Sequence, residues 1–180
     1  KRYRSISLSQ EFSDEEMARD WTLSEQDKEE LGKYRKGSRL FVSAQLCAVR
    51  LYGRFVSDVN ELSPRIVNYL NRQLSLSPSL TIQEPERDAT YTEYRKNILH
   101  YLGFRKFDAH AQTTLQEWLK QQALQSNAPE ELFQQAEKYL LSEYFVLPGT
   151  SVLERLIVGA CSTAHEQIFE VLNRQLSPGI

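Results

Sequence analysis

The side chains in this sequence that could act as nucleophiles, bases or ligands are few and scattered. Cys161 and His165 stand four residues apart, which places both on one helix face in the loosest form of a thiol–imidazole pair. Ile157, Ala160 and Ala164 share that arc, so a packed thiol is the better reading. His100 and His110 are distant from His165, and none of the three completes His-x3-His or sits beside a partnered cysteine. Cys47 is equally isolated, and two lone thiols point to reducing surroundings rather than to a disulfide or a zinc site. The seven glycines fit neither a phosphate-cradling loop nor a dinucleotide fingerprint. Acids gather in the first turns of helices, where they read as caps. No catalytic residue, metal ligand or cofactor site is assigned.

What is concentrated is positive charge. The stretch from Lys33 to Phe55 holds Lys33, Arg35, Lys36, Arg39, Arg50 and Arg54 and no acid, in a chain of formal net charge −2. An anionic partner such as a phosphate backbone would account for it, and so would a solvated helix face beside a core helix. A second island spans 91–107, where Arg95, Lys96, Arg105 and Lys106 face only Glu93. From 108 to 180 nine acids oppose four bases, net −5, so residues 1–107 must net +3. Lys1 to Ser9 adds a short arm with Arg2 and Arg4. The positive surface is regional, which suggests a contacting half and a scaffold half.

These residues need helices to hold them. Ser13-Asp14-Glu15-Glu16 spells a capping box for a helix ending near Trp21, and Ser24 to Asp27 repeats the pattern. Gly37 should break the second helix and Ser38 cap the third, which runs from about Arg39 to Tyr52. On that helix Leu40, Ala44, Cys47, Ala48 and Leu51 share one arc, with Arg39, Ser43, Arg50 and Arg54 on its neighbour. A helix, a short glycine-containing turn and a helix with a basic arc resemble a helix-turn-helix. Ser63-Pro64 starts a fourth helix. Further helices are expected from Thr90 to Leu102, Asp108 to Asn127, Glu130 to Tyr144 and from a capping box at Ser151 onward.

The expected class is therefore all-α, a bundle of seven to nine helices in two packed helical subdomains: 1–75, a linker at 76–89 with Pro78 and Pro85, and 90–180. Few glycines and prolines, with abundant Gln, Leu, Glu and Ser, point the same way. No apolar run is long enough for a membrane helix, and no cleavable leader is visible. The chain begins without Met and stops after Ser177-Pro178-Gly179-Ile180, so a piece of a longer protein is expected. Leu70-Asn71-Arg72-Gln73-Leu74-Ser75 recurs at 172–177, most simply as two similar helix ends.

A set of ordered residues carries a resemblance. Leu23-Ser24-Glu25, Arg39-Leu40, Gln45-Leu46-Cys47, Arg50, Gly53-Arg54-Phe55 and Gln73-Leu74 are followed by Thr90, Leu102-Gly103-Phe104-Arg105 and Phe107. Leu147-Pro148-Gly149, Ser151 and Leu153-Glu154-Arg155 complete it. Together they resemble the N-terminal region of class II (Tn-three type) replicative transposases. The departures are Tyr94, where the family pattern places histidine, and Phe41, where it places glycine. The resemblance implies a helical region that binds the terminal inverted repeats of a transposon as double-stranded DNA. It implies that the divalent-metal strand-transfer chemistry lies in a later domain, with no cofactor and no catalysis in this fragment. It further implies a bacterial, cytoplasmic, nucleoid-associated protein and self-association of the full-length chain.

On that basis Lys33, Lys36 and Lys106 are expected on phosphates and Arg39, Ser43 and Arg50 in the groove. Arg35, Arg54, Arg95, Lys96 and Arg105 complete the expected DNA-binding set. The alternative is a helical protein-interaction or assembly module whose basic islands are merely solvated.

Overall fold

The computed structural model describes residues 11–125 and 128–176. The basic arm at 1–9 and the closing 177–180 stretch lie outside them. Among the described residues eight α-helices build the fold: α1 (Asp14–Asp20), α2 (Glu25–Gly32), α3 (Lys36–Tyr52), α4 (Pro64–Gln73), α5 (Asp88–Leu102), α6 (Ala109–Ala123), α7 (Pro129–Ser142) and α8 (Thr150–Leu176). Among the described residues the extended pairing is limited to an isolated bridge between Arg105 and Phe145. The architecture is all-α.

Local chemistry sets most helix ends. Ser13 and Ser24 close reciprocal capping boxes with Glu16 and Asp27. Gly53 and Gly103 end α3 and α5 in the left-handed region, at φ 67° and 72°, where a Cβ would be strained. Ser63 accepts from the Arg65 N–H, with Pro64 filling the first helical position. Two expectations fail at the ends. The break before α3 falls at 33–35, so Gly37 lies inside α3 and Arg35, without a side-chain bond, stands at its cap. In addition, α8 already begins at Thr150, with the Val152 and Leu153 N–H groups donating to the Gly149 carbonyl.

The chain divides into two compact units, Lys1–Phe104 and Arg105–Ile180. In the first, α3 is the central element, packed by α2, α4 and α5. Every residue from Leu40 to Val49 is buried, whereas a surface helix keeps a polar face. Trp21, Leu31, Ile66, Leu70 and Ile98 close around it.

The division differs from the expected linker at 76–89. Helix α5 belongs with the first unit because Tyr91 packs on Phe41 and Tyr94 on Tyr34. The Pro78-containing stretch is tied back to α4, where the Asn71 amide donates to the Leu80 carbonyl at 3.1 Å.

In the second unit α6, α7 and α8 pack together through Leu115, Leu119, Leu132, Leu140, Leu153 and Ile157. Trp118 stacks on Tyr139 at 4.6 Å. The buried stripe of α8 stops at Ala164, and Ile168, Phe169, Val171 and Leu172 beyond it are exposed. The repeated hexapeptide therefore sits in opposite settings: Leu70 and Asn71 are buried at the end of α4, but Leu172 is exposed near the end of α8.

Candidate nucleic-acid interface

The six cations between Lys33 and Phe55 have different fates, set by where α3 places them. Arg39 points back along α2: its Nε donates to the Tyr34 carbonyl at 2.9 Å and its Nη2 to the Gly32 carbonyl at 3.0 Å. A guanidinium at the C-terminal end of α2 satisfies carbonyls that lack helical partners and suits the dipole there. Arg39 thus joins α2 to α3, with little left over for a groove.

Arg50 is engaged more fully. Its Nη1 and Nη2 donate to the two carboxylate oxygens of Asp27, at 2.9 and 2.5 Å. Asp27 is 1% exposed and also accepts from the Ser24 N–H at 2.8 Å and the Tyr101 hydroxyl at 2.8 Å. Burial pushes the Asp27 carboxyl upward, but the bonds from Arg50, the Ser24 backbone and Tyr101 outweigh it and hold the group below its ordinary value. The same surroundings push the Tyr101 hydroxyl up to about 12, through burial and its bond to Asp27. This node fastens α2, α3 and α5. Ser43 is fully buried, and its hydroxyl donates to the Leu40 carbonyl at 2.8 Å. Of the expected groove trio of Arg39, Ser43 and Arg50, two therefore brace the fold and the third has no access to solvent.

The other members of the expected set are on the surface. Arg35 and Lys36 are exposed at the start of α3, and Lys33 is exposed and ion-paired to Glu30. Arg54 is half-buried and engaged. On α5, Arg95 and Lys96 are exposed, with the Arg95 guanidinium 4.2 Å above the Phe55 ring and 5.5 Å from that of Tyr91. Contact with the rings orients this planar guanidinium, and the residue stays exposed. The start of α3 and the middle of α5 are sewn together by a 3.0 Å bond from the Tyr94 hydroxyl to Ser38 and by the Tyr34–Tyr94 ring contact. Arg35, Lys36, Arg95 and Lys96 flank that seam in sequence.

In the second unit, Arg105 donates to the Glu143 carbonyl at 2.6 Å and lies 4.0 Å over Phe145, and Lys106 is exposed. The second basic island is thus divided: Arg95 and Lys96 belong to one unit and Arg105 and Lys106 to the other.

Sequence reasoning passed over α4. Its residues Pro64 to Gln73 contain Arg65 and Arg72 and no acid, yet two cations do not make an island. The legible signal was spacing: Arg65, Asn68 and Arg72 recur at three and four residues and are all exposed.

Among the described residues no group of three or more His, Cys, Asp or Glu is placed to hold a metal ion. Cys47 is buried inside α3, and its thiol is pushed up to about 12 by burial. His165 is exposed one turn beyond the half-buried Cys161. No described helix is long and apolar enough to cross a membrane.

Comparison with known proteins gives a consistent result. Residues 1–160 match a family described as a domain of unknown function, DUF4158. The transposase for transposon gamma-delta of Escherichia coli (strain K12) is 30% identical over 166 residues, covering 90% of this chain and 17% of that protein. The transposase for transposon Tn501 of Pseudomonas aeruginosa is 26% identical, covering 97% of the chain and 18% of its own length. The transposase for transposon Tn1546 of Enterococcus faecium is 25% identical over 87% of the chain and 16% of its length. The chain spans about one-sixth of the curated relatives it matches.

Proposed function

This chain belongs to the DUF4158 family and corresponds to the N-terminal region of class II transposases, and from that premise we propose that it binds the DNA of transposon ends. In this reading it serves transposition by recognising the terminal inverted repeats as duplex DNA. The strand-transfer chemistry and its divalent metal belong to other parts of the full-length protein.

The observation that carries the proposal is the composition and exposure of one region. Arg35, Lys36, Arg95 and Lys96 are exposed, and from 33 to 55 no acid offsets the positive charge. Cations displayed this way supply the sequence-independent part of duplex binding by displacing condensed counterions. Arg95 contributes a guanidinium already oriented by Phe55. The exposed Lys106 in the second unit is a further phosphate contact in this reading.

The test is fluorescence anisotropy with a labelled repeat duplex and a scrambled duplex across a salt series. The repeat should bind more tightly. A Lys36→Ala/Arg95→Ala/Lys96→Ala variant should flatten the log–log salt slope by about 0.9 for each side chain that meets a phosphate. Equal, weak binding of both duplexes by the wild-type chain would sink the proposal.

A second reading, an assembly module, is favoured by one feature: the exposed Ile168, Phe169, Val171 and Leu172 on the far half of α8. A mass measurement in solution, across concentration and with Phe169→Glu, separates it from the first.

A further inference from the structure

Arg39 and Arg50 are engaged within the fold and Ser43 is buried, because α3 is the core of its unit. The structure presents a different helix for reading a groove. We propose that α4 is the element that enters the major groove, with Asn68 and Arg72 reading base edges. This rests on the DNA-binding reading above and assigns within it the part that confers sequence preference.

Helix α4 is held on its inner face and left open on its outer one. Ile66 and Leu70 are fully buried beneath it. Its C-terminal end is pinned to the segment joining α1 and α2: the Gln73 side-chain oxygen accepts from the Leu23 N–H at 2.7 Å, and its amide donates to the Trp21 carbonyl at 3.0 Å. The Tyr69 hydroxyl adds a 2.8 Å bond to Thr22. These bonds fix the rotation of α4 about its own axis. A fixed rotation decides which side chains face outward, and it turns Arg65, Asn68 and Arg72 to solvent.

The chemistry of that outer stripe matches duplex DNA. Asn68 and Arg72 are one turn apart on the same face, and among the described residues neither side chain has a hydrogen-bond or ion-pair partner. An asparagine amide carries a donor and an acceptor side by side, the pattern that adenine offers at N7 and N6. An arginine fork matches guanine O6 and N7. No acid interrupts α4, so the helix can approach two phosphate backbones without repulsion. Asp14 on α1 is ion-paired to Arg65. Between α1 and α4 lies an open groove of about 620 Å³ with Arg65, Asn68 and Arg72 on its α4 wall.

The experiment uses the whole chain, the repeat duplex and the scrambled duplex, with Asn68→Ala and Arg72→Lys. Arg72→Lys keeps the charge but removes the fork, so it separates base reading from phosphate attraction. Both variants should lose about ten- to a hundredfold in preference for the repeat. Their binding to scrambled duplex, salt slope and thermal melt should match the wild type. Undiminished preference in both variants would overturn the assignment to α4 and leave DNA binding by the chain intact. Absence of any preference in the wild type would overturn the DNA-binding reading itself, and α4 with it. Equal loss on both duplexes would show that α4 supplies only charge, which also overturns the assignment.

Discussion

Arg50 and Asp27, 23 residues apart, are joined by two parallel hydrogen bonds of 2.9 and 2.5 Å, and the carboxylate is almost wholly enclosed. Tyr101 from a third helix reaches the same oxygen as the shorter of the two. An arginine that looks like a surface contact in sequence is thereby committed to holding three helices in register.

Removing one partner should expose the cost of leaving the other buried and unpaired. Arg50→Ala is expected to lower the stability of the first unit by about 3 kcal/mol, since Arg50 keeps 30% of its side-chain exposure and the full cost of a broken buried pair is somewhat larger. Urea unfolding followed by circular dichroism measures it. A loss below about 1 kcal/mol, the range of surface pairs, would mean that the fork is not holding the helices.

The same node predicts acid sensitivity. Burial raises the Asp27 carboxyl, but Arg50, the Ser24 N–H and Tyr101 lower it more, so its folded value lies below the ordinary 3.8. A depressed carboxyl stabilises the fold fully above its unfolded value, and that stability is lost as pH falls through the folded value. Melting temperature should therefore drop in the wild type on acidification below about pH 4, and more shallowly in Asp27→Asn. Parallel curves for the two proteins would place the acid-labile group elsewhere.

Two buried polar residues of α3 should respond differently. Gln45 uses both ends of its amide, accepting from the Val56 N–H at 2.8 Å and donating to the Val56 carbonyl at 3.1 Å. Gln45→Ala orphans both backbone groups and should cost about 2–3 kcal/mol in a chemical melt. Ser43→Ala removes only a bond to a carbonyl in its own helix, and should change stability by less than about 1 kcal/mol and DNA affinity not at all. A fall in affinity with Ser43→Ala would return that residue to the interface.

Thiol labelling at pH 8 should distinguish the two cysteines. Cys47 is fully buried with its thiol pushed to about 12, while Cys161 is half-exposed on α8. One equivalent of an aromatic disulfide reagent should react in the native protein and the second only in denaturant. Rapid reaction of both would mean that α3 is not enclosed.

What could be read in the sequence was whatever is local. The Ser13 and Ser24 capping boxes, Gly53, Gly103 and Ser63-Pro64 act within four residues, and each marks a helix end in the structure. The enclosure of α3 was half legible. An arc of Leu40, Ala44, Cys47, Ala48 and Leu51 was evident, yet Phe41, Val42, Leu46 and Val49 make the helix apolar on its other sides too. Reading the helix as two-faced assigned Arg39 and Arg50 to solvent. Their true partners, the Gly32 and Tyr34 carbonyls and Asp27, depend on how α2 folds back on α3. Charge counting found Arg35, Lys36, Arg95 and Lys96, which are exposed, but had no means to weigh α4.

The enclosure of α3 also sets a clock. Amide protons from Leu40 to Val49 sit in a helix with no solvent-facing side, walled by α2, α4 and α5. None of those walls can lift without uncovering α3, so exchange of these amides with deuterated water must wait for the first unit to open as a body. The slowest-exchanging protons of that unit therefore lie within the most basic stretch of the sequence, and their rates report its global opening free energy.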